Sequence, residues 1–466
     1  MATSDFDADP LRASDIPASS AAAVAVGSQQ IGDALSSNGT DSGELTPLRK
    51  GYIATLYLAH FSIFLAFVTP IAFSLAIRVE QVAPDTKDSV LALAAGIPGL
   101  IAVVLTPIFG ALSDRTRSKL GRRRPWMIAG ILVGLVGSTV IGLATGPAFI
   151  VVGWTFGYVG YTVASSMVLA HLGDKLPESQ RGRVLGITGA ISQMAPLAGV
   201  LVGGLLSTNA LALFLVPGLI ALVGATIFLI RMKDTPRAAV TRTNSTGAEV
   251  RKILVSMVFN PKRYPNLGWV WISKAFIYFA LSFSTIYTIY LITSRFEIGP
   301  TEVAGVLAIS GILGVGCGVG GAILSGFLSD KFGTRKPFLV ISALIMAAGL
   351  IIVATSTSLP VFLAGNAISA LATGVYGAVD QALALDVLPR EEDENGRYLG
   401  ILQLGSTIPQ AVGPLAAGLL LAIAGGAYSS VYFAAAVLAV LGAITIIPIS
   451  IGRRASMSTT SLEVPK

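Results

Sequence analysis

Cysteine, histidine and charged side chains are all scarce in this chain of 466 residues. The single cysteine, Cys317, excludes an intramolecular disulfide, and with two histidines besides it the chain has no His/Cys cluster for a metal. Neither a nucleophile elbow nor a phosphate-binding loop occurs. Charged residues make up only 12% of the sequence. These shortages argue against an enzyme, a metal site and a soluble fold.

Apolar residues are correspondingly abundant. They form 53% of the chain, and the mean hydropathy is +0.75. Twelve apolar stretches are each long enough to cross a bilayer, which takes about 20 helical residues. High glycine and alanine content with weak alternation favours helices over barrel strands. The sequence therefore predicts an all-α integral membrane protein with twelve transmembrane helices. They lie near residues 52–78, 89–112, 125–146, 148–172, 184–206, 210–231, 266–293, 301–326, 337–356, 359–385, 398–423 and 428–451.

The basic residues are distributed very unevenly between the loops. Of the 32 Lys and Arg residues, 28 lie on one side of these spans, three on the other (Arg78, Lys87 and Arg295), and Lys274 lies within a span. The positive-inside rule then puts both termini and the middle loop in the cytoplasm of a multi-pass cell-membrane protein. The net charge of +7 thus reports topology, and a nucleic-acid partner is not implied.

Two sequence patterns occur twice, roughly 215 residues apart. The first pattern runs from Gly110 through Ser113-Asp114-Arg115 to Gly121-Arg-Arg-Arg-Pro125, and its second copy from Gly326 through Ser329-Asp330-Lys331 to Gly333-Thr-Arg335-Lys-Pro337. The second pair is Arg181-Gly182-Arg183 and Asn395-Gly396-Arg397. The membrane domain is therefore a duplicated unit, as a carrier needs if one half rocks against the other.

The duplication predicts five segments. They are a disordered cytoplasmic tail (1–48), an N-terminal six-helix bundle (49–231), a cytoplasmic linker (232–264), a C-terminal six-helix bundle (265–452) and a second cytoplasmic tail (453–466). The first tail is rich in Ala, Ser, Asp and Gly and has no aromatic residue beyond Phe6. It is predicted to be disordered because such a segment cannot bury enough apolar area to offset its chain entropy.

Two ionisable residues interrupt apolar spans at similar depth. Asp380 lies about six residues from the cytoplasmic end of the tenth span, and Lys274 about eight residues into the seventh. Desolvation favours the neutral form of such a carboxylate, whereas a nearby cation favours the charged form. The two could pair and exchange a proton during transport. The alternatives are a structural ion pair, or a lysine that snorkels to the interface.

His60, in the middle of the first span, is the third candidate for proton coupling, because the pKa of histidine lies nearest neutrality. The alternative is a neutral histidine that donates to a backbone carbonyl or to the solute.

Aromatic residues with a polar group, together with amides, could bind a sugar by ring stacking and hydroxyl recognition. The alternative for the aromatics is helix packing and an interfacial belt. The substrate-binding candidates are Tyr158, Tyr161, Tyr278, Asn366, Tyr376, Gln381 and Gln403.

The repeated loop signature resembles that of the major facilitator superfamily, and its longer form (Ser113-Asp114-Arg115 through Arg117-Ser-Lys119 to Pro125) resembles the sucrose-carrier and glycoside–cation symporter branch. The resemblance implies two pseudo-symmetric six-helix bundles whose first, fourth, seventh and tenth spans line a cavity. Melibiose-type carriers have paired aspartates on the second span, but residues 91–109 contain no acid here. A proton is therefore favoured over sodium as coupling ion, and no other cofactor is expected.

In this family, the aspartate of the signature and the charges around it close the cytoplasmic side between the halves. The resemblance implies that role here, although the basic residues could instead only fix topology. The cytoplasmic-gate candidates are Asp114, Arg115, Arg124, Glu178, Arg181, Arg183, Asp330, Lys331, Arg335, Asp386 and Arg397.

The leading hypothesis is a secondary active transporter that moves a small polar solute, a sugar or glycoside, by proton-coupled alternating access, functional as a monomer in the lipid bilayer. The alternatives are a proton-driven efflux carrier for drugs or metabolites, and a membrane sensor without transport. A drug carrier would have a more apolar cavity than Asn366 and Gln381 indicate. Residues 232–264 are too short for a folded signalling domain, which disfavours the sensor.

Overall fold

The structure is a computed structural model, and it describes residues 47–116, 118–232, 261–387 and 395–449. Twelve helices within these ranges are long and apolar enough to cross a membrane, so the predicted all-α fold is confirmed. Most of both predicted tails and of the linker lies outside the described residues. The helices are α1 Lys50–Val82, α2 Lys87–Arg115, α3 Arg124–Gly142, α4 Pro147–Lys175, α5 Glu178–Leu206, α6 Ala210–Arg231, α7 Pro265–Ile286, α8 Pro300–Phe332, α9 Lys336–Thr355, α10 Leu359–Asp386, α11 Asn395–Ile423 and α12 Tyr428–Ile446.

The loops between the helices lie on two sides of the molecule. The basic-loop side contains the two signature loops, 116–123 and 333–335, and the far side contains loops 143–146 and 356–358. Proline occupies the first turn of six helices (α3, α4, α7, α8, α9 and α10), where its missing N–H leaves no hydrogen bond unmade.

The same packing recurs in both halves around the first and fourth helix, which are called the inner helices. In the first half, α1 packs against α4, α5 and α6, and α3 packs between α4 and α6. In the second half, α7 packs against α10, α11 and α12, and α9 packs between α10 and α12. The outer helices leave large apolar side chains such as Val136 and Val437 exposed, as a helix that contacts lipid tails should.

The two halves meet along two seams, α2 with α11 and α5 with α8. In the first seam a Cβ on Gly418 would overlap Ala92, and in the second a Cβ on Gly204 would overlap Ala304. Ala92 and Ala304 are 212 residues apart, and Gly204 and Gly418 are 214 apart, so the seams are copies of one contact. Glycine at these places lets the helices approach closely.

A pair of arginines repeats the same symmetry on the far side. Arg78 donates hydrogen bonds to the carbonyls of Ile141, Gly142 and Ala144 at the end of α3. Arg295 donates to the carbonyls of Val353, Ala354 and Ser356 at the end of α9. A cation at a helix C-terminus satisfies carbonyls that lack intrahelical partners. The duplication predicted from the loops thus extends to the packing of the helices.

The first helix of each half is interrupted toward the far side. In α1, a π-helical turn covers Pro70–Ser74, where proline has no N–H for the regular ladder. After α7 the chain breaks at Tyr287 and continues as a short helix, Thr288–Phe296.

Candidate functional site

A buried ion pair joins the two inner helices of the second half. The Nζ of Lys274 on α7 lies 2.9 Å from Oδ2 of Asp380 on α10. Lys274 is 7% exposed and Asp380 is 3% exposed. The sequence predicted these residues at similar depth, and the structure brings them together. A charge pair this far from water is stabilised only because each partner neutralises the other.

Tyrosines surround the ion pair. Tyr278 lies one turn along α7 from Lys274, is half-buried, and is close enough to both charges to interact with them electrostatically. The buried Tyr376 on α10 lies with its hydroxyl 3.3 Å from Oγ of Ser273. Two of the predicted substrate-binding tyrosines therefore lie at the charged cluster.

His60 forms a second buried polar site in the first half. Its Nε2 lies 3.0 Å from Oγ of Ser192 on α5, and its ring stacks on Phe64. The Ser192 hydroxyl donates its single proton to the Thr188 carbonyl, so we assign the hydrogen of the imidazole to Nε2. The buried Nδ1 has no partner within the described part of the chain, and its lone pair is left to accept a proton or a solute hydroxyl.

The predicted aromatic residues of the first half separate into two environments. Tyr158 is half-buried and makes edge contacts with Phe67 and Trp154, at ring distances of 4.9 and 5.8 Å. Tyr161 is completely buried, and its hydroxyl lies 2.9 Å from Oγ of Ser138 on α3. The structure therefore gives Tyr161 a place in the packing of α3 and α4, away from the surface to which Tyr158 contributes.

The predicted amides also differ in exposure. Asn366 and Gln403 are half-buried, whereas Gln381 is exposed. The Nε2 of Gln403 is buried without a hydrogen-bond partner among the described residues. A buried N–H donor without an acceptor destabilises the protein, unless a solute or a water molecule accepts its hydrogen bond.

An ion-pair network holds the first signature loop. Asp114 lies 2.7 Å from Arg123 and 3.6 Å from Arg122, and both arginines also contact Asp174 at the end of α4. Arg123, which is 7% exposed, also donates to Ser113 at 2.7 Å. The gate predicted from the sequence included Arg124 of this basic run but not Arg122 or Arg123, which could equally be topology signals. It also omitted Asp174, because its position at the end of α4 does not reveal which loop it contacts.

The second signature loop has a simpler arrangement. Arg335 lies 3.1 Å from Asp386 at the end of α10. Each of these named ion pairs joins helices of one half, so in this structure Asp114, Arg335 and Asp386 are engaged within their own bundle. The proposed closure between the halves stays a prediction about another conformation.

The remaining gate candidates are less constrained by the structure. Arg183 and Lys331 are exposed, and Arg124 lines a groove of about 380 Å³ between α3 and α6. The side chains of the other five candidates lie outside the described residues. They are Arg115, Glu178, Arg181, Asp330 and Arg397.

The contacts between the halves are concentrated toward the far side. Gly96 approaches Leu415 and Gly99 approaches Ala411 in the first seam, and Gly311 approaches Leu197 in the second. Toward the basic-loop side the same four helices have open space beside their glycines. These glycines are Gly110, Gly189, Gly326 and Gly400.

Comparison with known proteins identifies the family. The model described as Major Facilitator Superfamily matches residues 52–325 and 317–464, which together cover most of the chain. A curated relative, the general alpha-glucoside permease of Schizosaccharomyces pombe, is 36% identical over 84 residues. That alignment spans 18% of this chain and only 14% of the permease.

Several solved structures have the same fold at low sequence identity. A D-xylose-proton symporter superposes with a TM-score of 0.64 at 16% identity, covering 87% of this chain and 99% of the symporter. The nucleoside transporter NupG superposes with a TM-score of 0.66 at 12% identity, covering 85% of this chain and 98% of NupG. A bacterial homologue of the human lysosomal transporter Spinster gives 0.61 at 15% identity, covering 86% and 95%.

Proposed function

This chain belongs to the Major Facilitator Superfamily, and we propose that this multi-pass membrane transporter moves a sugar or glycoside by proton-coupled alternating access. The observation that carries the proposal is the buried ion pair between Lys274 and Asp380. A proton-coupled carrier needs a group inside the membrane whose charge changes with the side to which the cavity opens. This pair is such a group in the described part of the chain.

The pair suits coupling because its two partners depend on each other. Protonation of Asp380 would leave the Lys274 ammonium without a counter-charge in a buried position, which is unfavourable by several kcal/mol. Lys274 must then move toward water, toward solute or toward another acceptor. A proton on Asp380 can therefore be linked to a rearrangement of α7 against α10, and this linkage is the physical content of coupling.

A polyhydroxyl solute fits the polar groups around the inner helices. Tyr158 and Tyr278 offer half-buried rings for stacking, and the half-buried Gln403 offers an N–H donor without a partner among the described residues. The names of the relatives, an alpha-glucoside permease and a D-xylose-proton symporter, support the same class. A nucleoside shares both the ring and the hydroxyls, and NupG makes it the solute to test beside sugars.

The orientation follows from the charges. The positive-inside rule favours a cytoplasmic basic-loop side, with both termini on that side. The named contacts between the halves lie toward the far side, which supports an inward-facing form of the cycle.

Uptake into proteoliposomes tests the proposal. Vesicles with an acidic exterior and a neutral interior should accumulate one labelled solute from a panel of α-glucosides, monosaccharides and nucleosides, and the accumulation should collapse when an ionophore removes the pH gradient. Accumulation of a nucleoside alone would replace the sugar. Uptake that follows a sodium gradient and ignores pH would contradict proton coupling.

The alternative, proton-driven efflux, predicts that the transported compound moves out of the vesicles while protons move in. Under the same gradient, preloaded vesicles would lose a drug or metabolite faster than pH-equilibrated ones, and none of the sugars would accumulate.

A further inference from the structure

On the far side, three tyrosines of the second half donate hydrogen bonds to the first half. Two of them converge on Asp88 in the first turn of α2. The Tyr428 hydroxyl, at the start of α12, donates to Oδ1 of Asp88 at 2.9 Å, and the Tyr287 hydroxyl donates to the Asp88 backbone carbonyl at 2.9 Å. The third, Tyr290, donates to the carbonyl of Ala76 on α1 at 2.9 Å.

The three rings form one cluster. Tyr428 lies 6.1 Å from Tyr287 and 6.1 Å from Tyr290 between ring centroids, and Tyr287 and Tyr290 are completely buried. The Nζ of Lys87 lies 4.8 Å from the Tyr290 ring centroid and 2.6 Å from Oε1 of Glu80. The first half thus provides carbonyls, a carboxylate and a cation around tyrosines that all come from the second half.

Among the residues that the structure describes, this connection occurs at one of the two seams. The seam residues Ala92 and Ala304 are related by 212 positions, and the same shift relates Asp88 to Pro300, which has no acceptor in its side chain. Gly224 of α6 and Gly442 of α12, each packed against the first helix of its half, are related by 218 positions, and that shift relates Tyr428 to Ala210. The duplicated framework therefore closes the far side symmetrically, but the polar contact is an addition on one side.

We propose that Asp88, Tyr287, Tyr290 and Tyr428 form a far-side latch that must break before the carrier opens outward. The inference rests on the proposed alternating access. All of these hydrogen bonds join the two halves, so they exist only while the far side is closed. Their net free energy therefore stabilises the inward-facing state relative to the outward-facing one. Hydrogen bonds inside one half are present in both states and favour neither.

The chain offers a closely matched control for this latch. Tyr432 lies one turn beyond Tyr428 on α12, and its hydroxyl donates to the Ser284 carbonyl at 2.9 Å and lies 3.0 Å from Oγ1 of Thr288. These partners belong to the second half. Tyr428→Phe and Tyr432→Phe therefore remove the same atom from the same helix, but only the first removes a contact between the halves.

Distances between two spin labels test the latch. In a Cys317→Ser background, labels at Thr145→Cys and Thr357→Cys would occupy exposed far-side loops, one in each half and outside the latch. Pulsed electron–electron double resonance in nanodiscs should give mainly the short distance of the closed far side in the parent protein. Tyr428→Phe should raise the ratio of open to closed populations by about tenfold to a hundredfold, as expected for one hydrogen bond to a charged acceptor. Tyr432→Phe should leave the ratio unchanged.

A second pair of variants separates the hydrogen bond from packing. Asp88→Asn keeps an oxygen acceptor for Tyr428 and should shift the populations less than Asp88→Ala. The latch is refuted if Tyr428→Phe leaves the distances as in the parent, or if both tyrosine variants shift them alike. If Tyr428→Phe opens the far side but no sugar moves in the parent, the latch stands and the proposed solute falls.

Discussion

Removal of one partner of the buried ion pair should cost far more stability than removal of both. In Asp380→Leu the Lys274 ammonium stays buried without a counter-charge. In Lys274→Met the Asp380 carboxylate is left in the same position. The Lys274 and Asp380 side chains are only 9% and 4% exposed, so water can compensate little. Breaking a buried pair from one side costs about 3–5 kcal/mol, whereas replacing both charges by apolar groups of similar volume is often neutral or stabilising.

The double variant Lys274→Met/Asp380→Leu should therefore recover most of the stability that either single variant loses. Thermal unfolding of the four purified proteins in one detergent, followed by intrinsic fluorescence, gives the comparison. The double-mutant cycle should yield a coupling of about 3 kcal/mol or more. The double variant should nevertheless fail to accumulate solute against a gradient.

Two results would refute this reasoning. If Asp380→Leu unfolds at the temperature of the parent, the carboxylate is not the counter-charge of Lys274 in the folded protein. If the three variants lose stability additively, the two charges do not interact, and the geometry of the ion pair has no energetic consequence.

Three further predictions concern residues outside the ion pair. Tyr161→Phe removes the buried hydrogen bond to Ser138 and should lower stability by about 1 kcal/mol, with an unchanged KM for solute, as measured by melting and by uptake. Arg123→Gln should lower the melting temperature more than Arg335→Gln, because Arg123 is more buried and contacts two carboxylates. Gly418→Leu should overlap α2 and keep the far side open, which cysteine labelling of the cavity from outside would detect.

The fold could be predicted from the sequence because the length and apolar composition of a stretch identify it as a membrane helix. The loop signatures gave the duplication, and the depths of Lys274 and Asp380 gave the ion pair. Both inferences rely on one-dimensional quantities, namely hydropathy, spacing and distance from a helix end. The lipid solvent makes these quantities decisive, since an unpaired charge inside a membrane is so costly.

The contacts that the sequence did not reveal depend on helix rotation. Tyr158 and Tyr161 are three residues apart on α4, yet one contributes to a half-buried aromatic surface and the other is enclosed in packing. His60 forms a hydrogen bond with Ser192, which is 132 residues away in the sequence, and no local pattern predicts that contact. The contacts of the far-side tyrosines with the other half have no sequence signal, because tyrosine near a helix end is ordinary at a membrane interface.

Solute-driven proton movement in proteoliposomes tests the central claim most directly. With a pH-sensitive dye inside the vesicles, addition of the transported sugar to the parent should acidify the lumen. Asp380→Asn should abolish the acidification while sugar exchange stays measurable, and Asp85→Asn, the same change at an exposed position on the far side, should retain it. Acidification by Asp380→Asn at the rate of the parent would contradict the coupling role of the buried pair.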